Sequence, residues 1–203
     1  SETQSFKFVG VSPDEKKEFL RMYNRAVEEI NRIKVFGVPL IETIIREERS
    51  DGIPFLIETL VNFILENGKD TAGIFRVAGS TAEIKVLKES FDAGEQDPKK
   101  LKLDEKNMFS VCDVLKLYFR ALPEPMLSFN LYTPIVDIMR DTAMEDDVRI
   151  NKIQEALLHW TPPFALKVLV YLMKFLNEIS EYSEENKMTT ANLAIVFGPT
   201  LLW

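Results

Sequence analysis

One cysteine and one histidine occur in 203 residues, and these two scarcities remove several familiar chemistries. With Cys112 alone no disulfide can close within the chain, which fits a reducing, cytosolic setting. A thiol–imidazole dyad would need Cys112 beside His159, and nothing in the sequence brings them together; a buried thiol and a packed imidazole are the plainer reading. Metal ligands at useful spacing are missing. Asp146-Asp147 and Glu184-Glu185 suit helix starts or solvated loops and do not follow the calcium-loop pattern, so no metal or cofactor is expected. Positive charge is short as well. At a net charge of −7 nucleic acid is a poor partner, and the densest basic run, Lys99, Lys100, Lys102 and Lys106, reads as a solvated loop. The longest apolar stretch, around Leu166 to Leu176, is broken by Lys167 and Lys174 and is too short for a bilayer. Without a lipid-anchor motif or a basic amphipathic helix, direct membrane insertion is not expected. Ser1-Glu2-Thr3-Gln4 has neither an initiator methionine nor a signal pattern, and Trp203 ends an apolar run, which suggests a piece of a longer protein.

What is present is helix. The hydrophobic share of 46% is enough for a sizeable core, and no run alternates with the period of a strand. The first helix is expected over residues 14 to 34, with Phe19, Tyr23, Ala26, Ile30 and Ile33 on one stripe. Two heptads are too few for a coiled coil, so this extension (1–34) is expected to pack on the module's own surface, as a monomer. A turn at Gly37-Val38-Pro39 precedes a short helix over 40–48. The next opens at Pro54 and is expected to end at Asn67-Gly68 in a left-handed turn. Ser80 and Glu83 have the spacing of a capping box for a helix to about Phe91. Further helices are expected over 110–121, 129–140, 146–158 and 163–179, the last being the most apolar and the expected centre of the core. A final helix should begin near Thr189 and run into Gly198-Pro199. The fold class is all-α.

Three features stand out from this background. Arg76 lies among Ile74, Phe75 and Val77 on a loop bounded by Gly73 and Gly79. It could brace the loop through carbonyls or act on something outside, and the segment alone leaves both open. The loop itself cannot cradle a nucleotide: the phosphate-binding pattern needs a lysine and a hydroxyl after its second glycine, and only Ser80 follows Gly79. Lys116 and Arg120 are four apart on one helix face, where like charges repel, so each should have its own partner. Asn192 interrupts the apolar run ending at Phe197 and is either a satisfied core amide or an exposed contact.

These features fall inside three ordered blocks. Gly73-Ile74-Phe75-Arg76-Val77-Ala78-Gly79-Ser80 resembles the arginine-finger loop of the RhoGAP domain family. The stretch from Leu115 through Lys116, Arg120, Leu122 and Pro123 to Pro125 is similar to that family's L-K-x-x-x-R-x-L-P-x-P block. Asn186-Lys187-Met188 with Asn192, Leu193, Ala194, Phe197 and Pro199 resembles its N-K-M block. The resemblance covers roughly residues 35 to 203 and implies a domain of eight or nine helices. It also implies a function: stimulation of GTP hydrolysis by a GTP-bound Rho-family small GTPase (Rac, Cdc42 or Rho), with no catalytic site of the chain's own. Arg76 would be the finger, Lys116 and Arg120 would support the loop and the contact face, Asn192 would meet the partner and Pro199 would shape the same face. Gly73 and Gly79 would let the loop approach closely. The location would be cytoplasmic, with membranes reached through the partner. Ala78, Phe109, Ala121 and Ala165 depart from the commonest family residues, which bears on efficiency and partner choice. A catalytically silent adaptor is the alternative.

Overall fold

The computed structural model describes residue 12, residues 14–23 and residues 34–202, and among them the regular elements are helical. Residues 14–23 form α1. From there on come α2 (Leu40–Arg46), α3 (Phe55–Asn67), α4 (Thr81–Asp92), a 3-10 turn (Glu105–Asn107), α5 (Met108–Ala121), α6 (Phe129–Arg140), α7 (Asp146–Trp160), α8 (Pro163–Glu181), α9 (Ser183–Asn186) and α10 (Thr190–Leu202). In α1 the rings of Phe19 and Tyr23 stack at 6.3 Å, yet both stay about half exposed, at 50% and 51%. Ala26, Ile30 and Ile33 of the same stripe lie outside the described residues.

The centre of the core is α5, not the more apolar α8. It packs against α3, α4 and α10, whereas α8 meets α2, α7, α9 and α10. Val111, Cys112, Val114, Leu115, Tyr118 and Phe119 of α5 are fully buried, so this helix is covered on most of its circumference. Burial of a large apolar side chain stabilises by about 1.5–3 kcal/mol, and such burial outweighs the polar residues that α5 also carries inward. Val35, Phe36 and Leu40 join the same core. They are held there by Asp92, whose carboxylate accepts the Val35 and Phe36 N–H groups at 2.9 and 3.0 Å.

Three local expectations are corrected. The helix α3 does end at Gly68, but with φ −143° rather than a left-handed turn; its N–H still reaches the Ile64 carbonyl at 2.8 Å. Ser80 caps α4 without a side-chain bond. In place of a capping box, the Ser110 hydroxyl accepts the Ser80 N–H at 2.9 Å and donates to Glu83 at 2.5 Å, so a third residue joins the two. Finally, α10 continues through Gly198-Pro199 to Leu202. A proline inside a helix costs about 3 kcal/mol. Burial of Leu193, Phe197, Thr200 and Leu201 along this helix offsets it.

Candidate functional site

The loop between α3 and α4 is folded back onto α5 and fixed at several points. At its start Gly73 is buried at φ +78°, a conformation that suits glycine, and its N–H donates to the Asn186 carbonyl at 2.8 Å. The Gly73 carbonyl accepts from both Arg76 and Val77 N–H groups at 2.9 Å, closing a tight turn. Phe75 has φ +64°, an uncommon conformation for a bulky residue. Its ring is wedged edge-on against Phe175 and Phe197 at 5.8 and 5.1 Å, which holds that conformation in place. At the far end Gly79 lies hard against α5: a Cβ there would come within 2.4 Å of Ser110 backbone atoms. Close approach, not left-handed backbone, requires this glycine.

Polar groups of α5 complete the hold. The Lys116 ammonium donates to the Phe75 carbonyl at 2.6 Å and pairs with Asp113 at 2.7 Å. The other Asp113 oxygen accepts the Gly79 N–H at 2.7 Å. Lys116 is buried at 7% exposure, unlike Arg120 one turn further on. Each does have its own partner. Arg120 is exposed and directs Nε and Nη2 to the Thr200 hydroxyl at 3.2 and 3.1 Å, and that hydroxyl donates to the Val196 carbonyl.

Arg76 emerges from this braced loop into solvent, and no hydrogen bond or ion pair to its side chain is found among the described residues. Its guanidinium does not brace the loop; Lys116 does that. Asn192 is partly exposed and donates to the Lys187 carbonyl at 2.9 Å, one residue from the Asn186 carbonyl that holds Gly73. Pro199 is exposed on α10 beside Thr200. The tertiary contacts thus join Lys116 to Gly79 through Asp113, hold Gly73 from Asn186, and tie Arg120 and Asn192 to the two ends of α10. Ala78 is exposed next to Arg76, Phe109 and Ala121 are half-buried on α5, and Ala165 is buried on α8.

Asp113, Ser110 and Asn186 were not singled out from sequence. Asp113 had a readable signal, since it precedes Lys116 by three residues on one helix face. Asn186 stood in the N-K-M block without a role of its own: its buried side chain joins the nearby Ile179 carbonyl and Met188 N–H to the Lys69 carbonyl, 117 residues away. Cys112 lies beneath the loop, where burial pushes its thiol up to about 12 against a hydrogen bond from Phe75. It is no nucleophile at neutral pH. His159 is exposed against Trp160 at 4.7 Å, not packed in the core.

An all-helical domain that presents, on a rigidly held loop, an exposed arginine without a partner among the described residues is the class these observations define. The family model of the RhoGAP domain matches residues 54–203. The chain belongs to the RhoGAP domain family. It is similar to the Rho GTPase-activating protein gacY of Dictyostelium discoideum, with 34% identity over 83% of this chain and 23% of that protein. SLIT-ROBO Rho GTPase-activating protein 1 of Mus musculus is 41% identical over 77% of this chain and 14% of its own length. The chain therefore spans less than a quarter of these relatives. Among solved structures, human Rho GTPase activating protein 15 superposes with a TM-score of 0.77 at 26% identity, covering 96% of this chain and 85% of that one. The BH domain of GRAF, the GTPase regulator associated with focal adhesion kinase, gives 0.65 at 25% identity over 76% and 80%. No helix among the described residues is long and apolar enough to cross a membrane.

Proposed function

We propose that this chain is a GTPase-activating module that stimulates GTP hydrolysis by a Rho-family small GTPase, with Arg76 supplied in trans as the catalytic group. The observation that carries the reading is an exposed guanidinium, without a hydrogen-bond or ion-pair partner among the described residues, on a loop held at the Gly73 and Gly79 N–H groups and the Phe75 carbonyl. Membership of the RhoGAP family and similarity to Rho GTPase-activating proteins support it. The partner in its GTP-bound state holds the nucleotide, so the chain has no active site of its own and completes another's.

Charge gathers on the phosphoryl oxygens as the bond to the leaving phosphate breaks. A guanidinium delivered there stabilises that charge and is worth roughly 10³–10⁵ in kcat, equivalent to about 4–7 kcal/mol of barrier. Rigidity of the loop matters because a preorganised cation needs no rearrangement at the moment of reaction. The planar fork of arginine can bridge two oxygens, which lysine cannot. Lys116 acts on the loop from inside. Arg120, Asn192 and Pro199 belong to the contact face, and Gly73 and Gly79 set the loop's close approach. We place the domain start near residue 35 and the extension at 1–34. The module acts as a monomer in the cytoplasm, reaching membranes through its partner.

Single-turnover GTP hydrolysis on Rho, Rac and Cdc42, with a Ras control, tests this. Arg76→Ala should leave stability within about 0.5 kcal/mol, because an exposed side chain without partners is removed. It should lower the stimulated rate at least a hundredfold, roughly the low end of a finger's worth. An unchanged rate would make Arg76 dispensable and sink the mechanism. Binding to the GTP-bound partner without stimulation by the wild type would mean a silent adaptor.

A further inference from the structure

Arg76 follows directly on the Phe75 carbonyl, so whatever fixes that carbonyl fixes where the arginine leaves the loop. The carbonyl is held by Lys116 at 2.6 Å. A buried ammonium needs a counter-charge, or the unpaired ion destabilises its surroundings. Asp113 supplies it from one turn away, at 2.7 Å. The same carboxylate reaches the other end of the loop, where its second oxygen accepts the Gly79 N–H at 2.7 Å. These contacts close a ring that runs from the Phe75 carbonyl through Lys116 and Asp113 to Gly79, with Arg76 inside the span. Ser110 lies outside it, acting on Ser80 and Glu83 at the start of α4.

Left to itself the loop would not keep this shape. Phe75 sits at φ +64°, and such a conformation costs of order 1–3 kcal/mol unless neighbours impose it. Phe175 and Phe197 hold the ring, but they do not hold the peptide that leads to Arg76. That peptide is held at its N–H by the Gly73 carbonyl and at its carbonyl by Lys116, and Lys116 is oriented by Asp113.

We propose that Asp113 is a positioning residue for the arginine finger: it sets Arg76 through Lys116 and through its hold on the Gly79 N–H, without meeting the partner's nucleotide. The assignment rests on the finger reading above. It differs from a general stabilising role in acting on the maximal rate through Arg76.

The experiment compares Asp113→Ala and Asp113→Asn in the wild-type and Arg76→Ala backgrounds. Single-turnover hydrolysis on the responding GTPase is measured against domain concentration, giving a maximal rate and a half-saturating concentration. Misplacing a catalytic group by about 1 Å can cost on the order of 10²-fold. By that scale Asp113→Ala should lower the maximal rate about tenfold or more and shift half-saturation less than about threefold. Asp113→Asn keeps an acceptor for Gly79 but loses the charge facing Lys116, and should fall between the two. In the Arg76→Ala background the same change should alter the rate less than about twofold, because its route to catalysis is already cut. An unchanged maximal rate, an effect confined to half-saturation, or an equal loss without Arg76 would each overturn the assignment. If Arg76→Ala alone costs nothing, the finger reading fails and the assignment falls with it, a result told apart by that single variant. Thermal unfolding verifies folding, and Asp113→Asn is judged by the same criteria should the alanine variant not fold.

Discussion

Replacing Lys116 with methionine keeps most of the aliphatic stem and removes only the ammonium, so it isolates the polar hold on the loop. Two groups lose their partner at once. The Phe75 carbonyl is left without its donor, and Asp113 keeps a charge whose counter-ion has gone. Breaking a buried pair from one side costs about 3–5 kcal/mol. Here the lysine side chain is 9% exposed and the aspartate 19%, so water reaches the stranded carboxylate and the lower end, about 3 kcal/mol, is expected. For a chain of this size each kcal/mol lowers Tm by about 2–4 °C, which gives a fall of about 6–12 °C. Urea and thermal unfolding of wild type and Lys116→Met measure this directly. Adding Asp113→Asn removes the stranded charge and should recover part of the loss. A cost below about 1 kcal/mol is what a solvent-screened surface pair would give. That result would refute the claim that this pair holds the finger loop.

Two further outcomes follow from the packing. Gly79→Ala puts a methyl 2.4 Å from Ser110 backbone atoms, and neither α5 nor the loop can yield cheaply. The expected cost is of order 1–3 kcal/mol by unfolding, together with a lower stimulated hydrolysis rate; wild-type values for both would show that the loop has slack. Asp92 is the second case. Burial raises its pKa, but the hydrogen bond from Lys88 and those from the Phe36 and Val35 N–H groups outweigh that and bring it below the ordinary 3.8. A depressed carboxylate stabilises the fold above its unfolded pKa and stops doing so as pH falls through the folded value. The stability gap between wild type and Asp92→Asn, followed by urea unfolding, should therefore be constant between about pH 5 and 7 and shrink below about pH 4. A gap that does not depend on pH would mean the charge of Asp92 is irrelevant.

The end of α5 and the start of α8 were readable because these boundaries are local: Pro123 and Pro125 stop α5, and Pro162-Pro163 open α8. Pro199 misled by the same logic, since a local stop signal was overridden by burial of Phe197, Thr200 and Leu201 on α10. The capping spacing of Ser80 and Glu83 was real, yet Ser110 of another helix took up both groups. Hydropathy likewise singled out α8, although centrality depends on how many sides of a helix are covered, and α5 is covered on most of them.

By itself the sequence determined the helical class, the chemistries excluded by one cysteine and one histidine, and the three ordered blocks that hold Arg76, Lys116, Arg120 and Asn192. Those depend on residue identity and spacing along the chain. Only the tertiary structure decided which of those polar residues turn inward. Lys116 and Arg120 lie one helical turn apart with the same charge, and one is buried under the Phe75 carbonyl while the other faces solvent over Thr200. The distinction comes from what packs on each side of α5, and partners 41 and 80 residues away leave no local mark. The same holds for Arg76: Lys116 and Asp113 hold the loop at the Phe75 carbonyl and the Gly79 N–H, while the Arg76 side chain is exposed without a hydrogen-bond partner among the described residues.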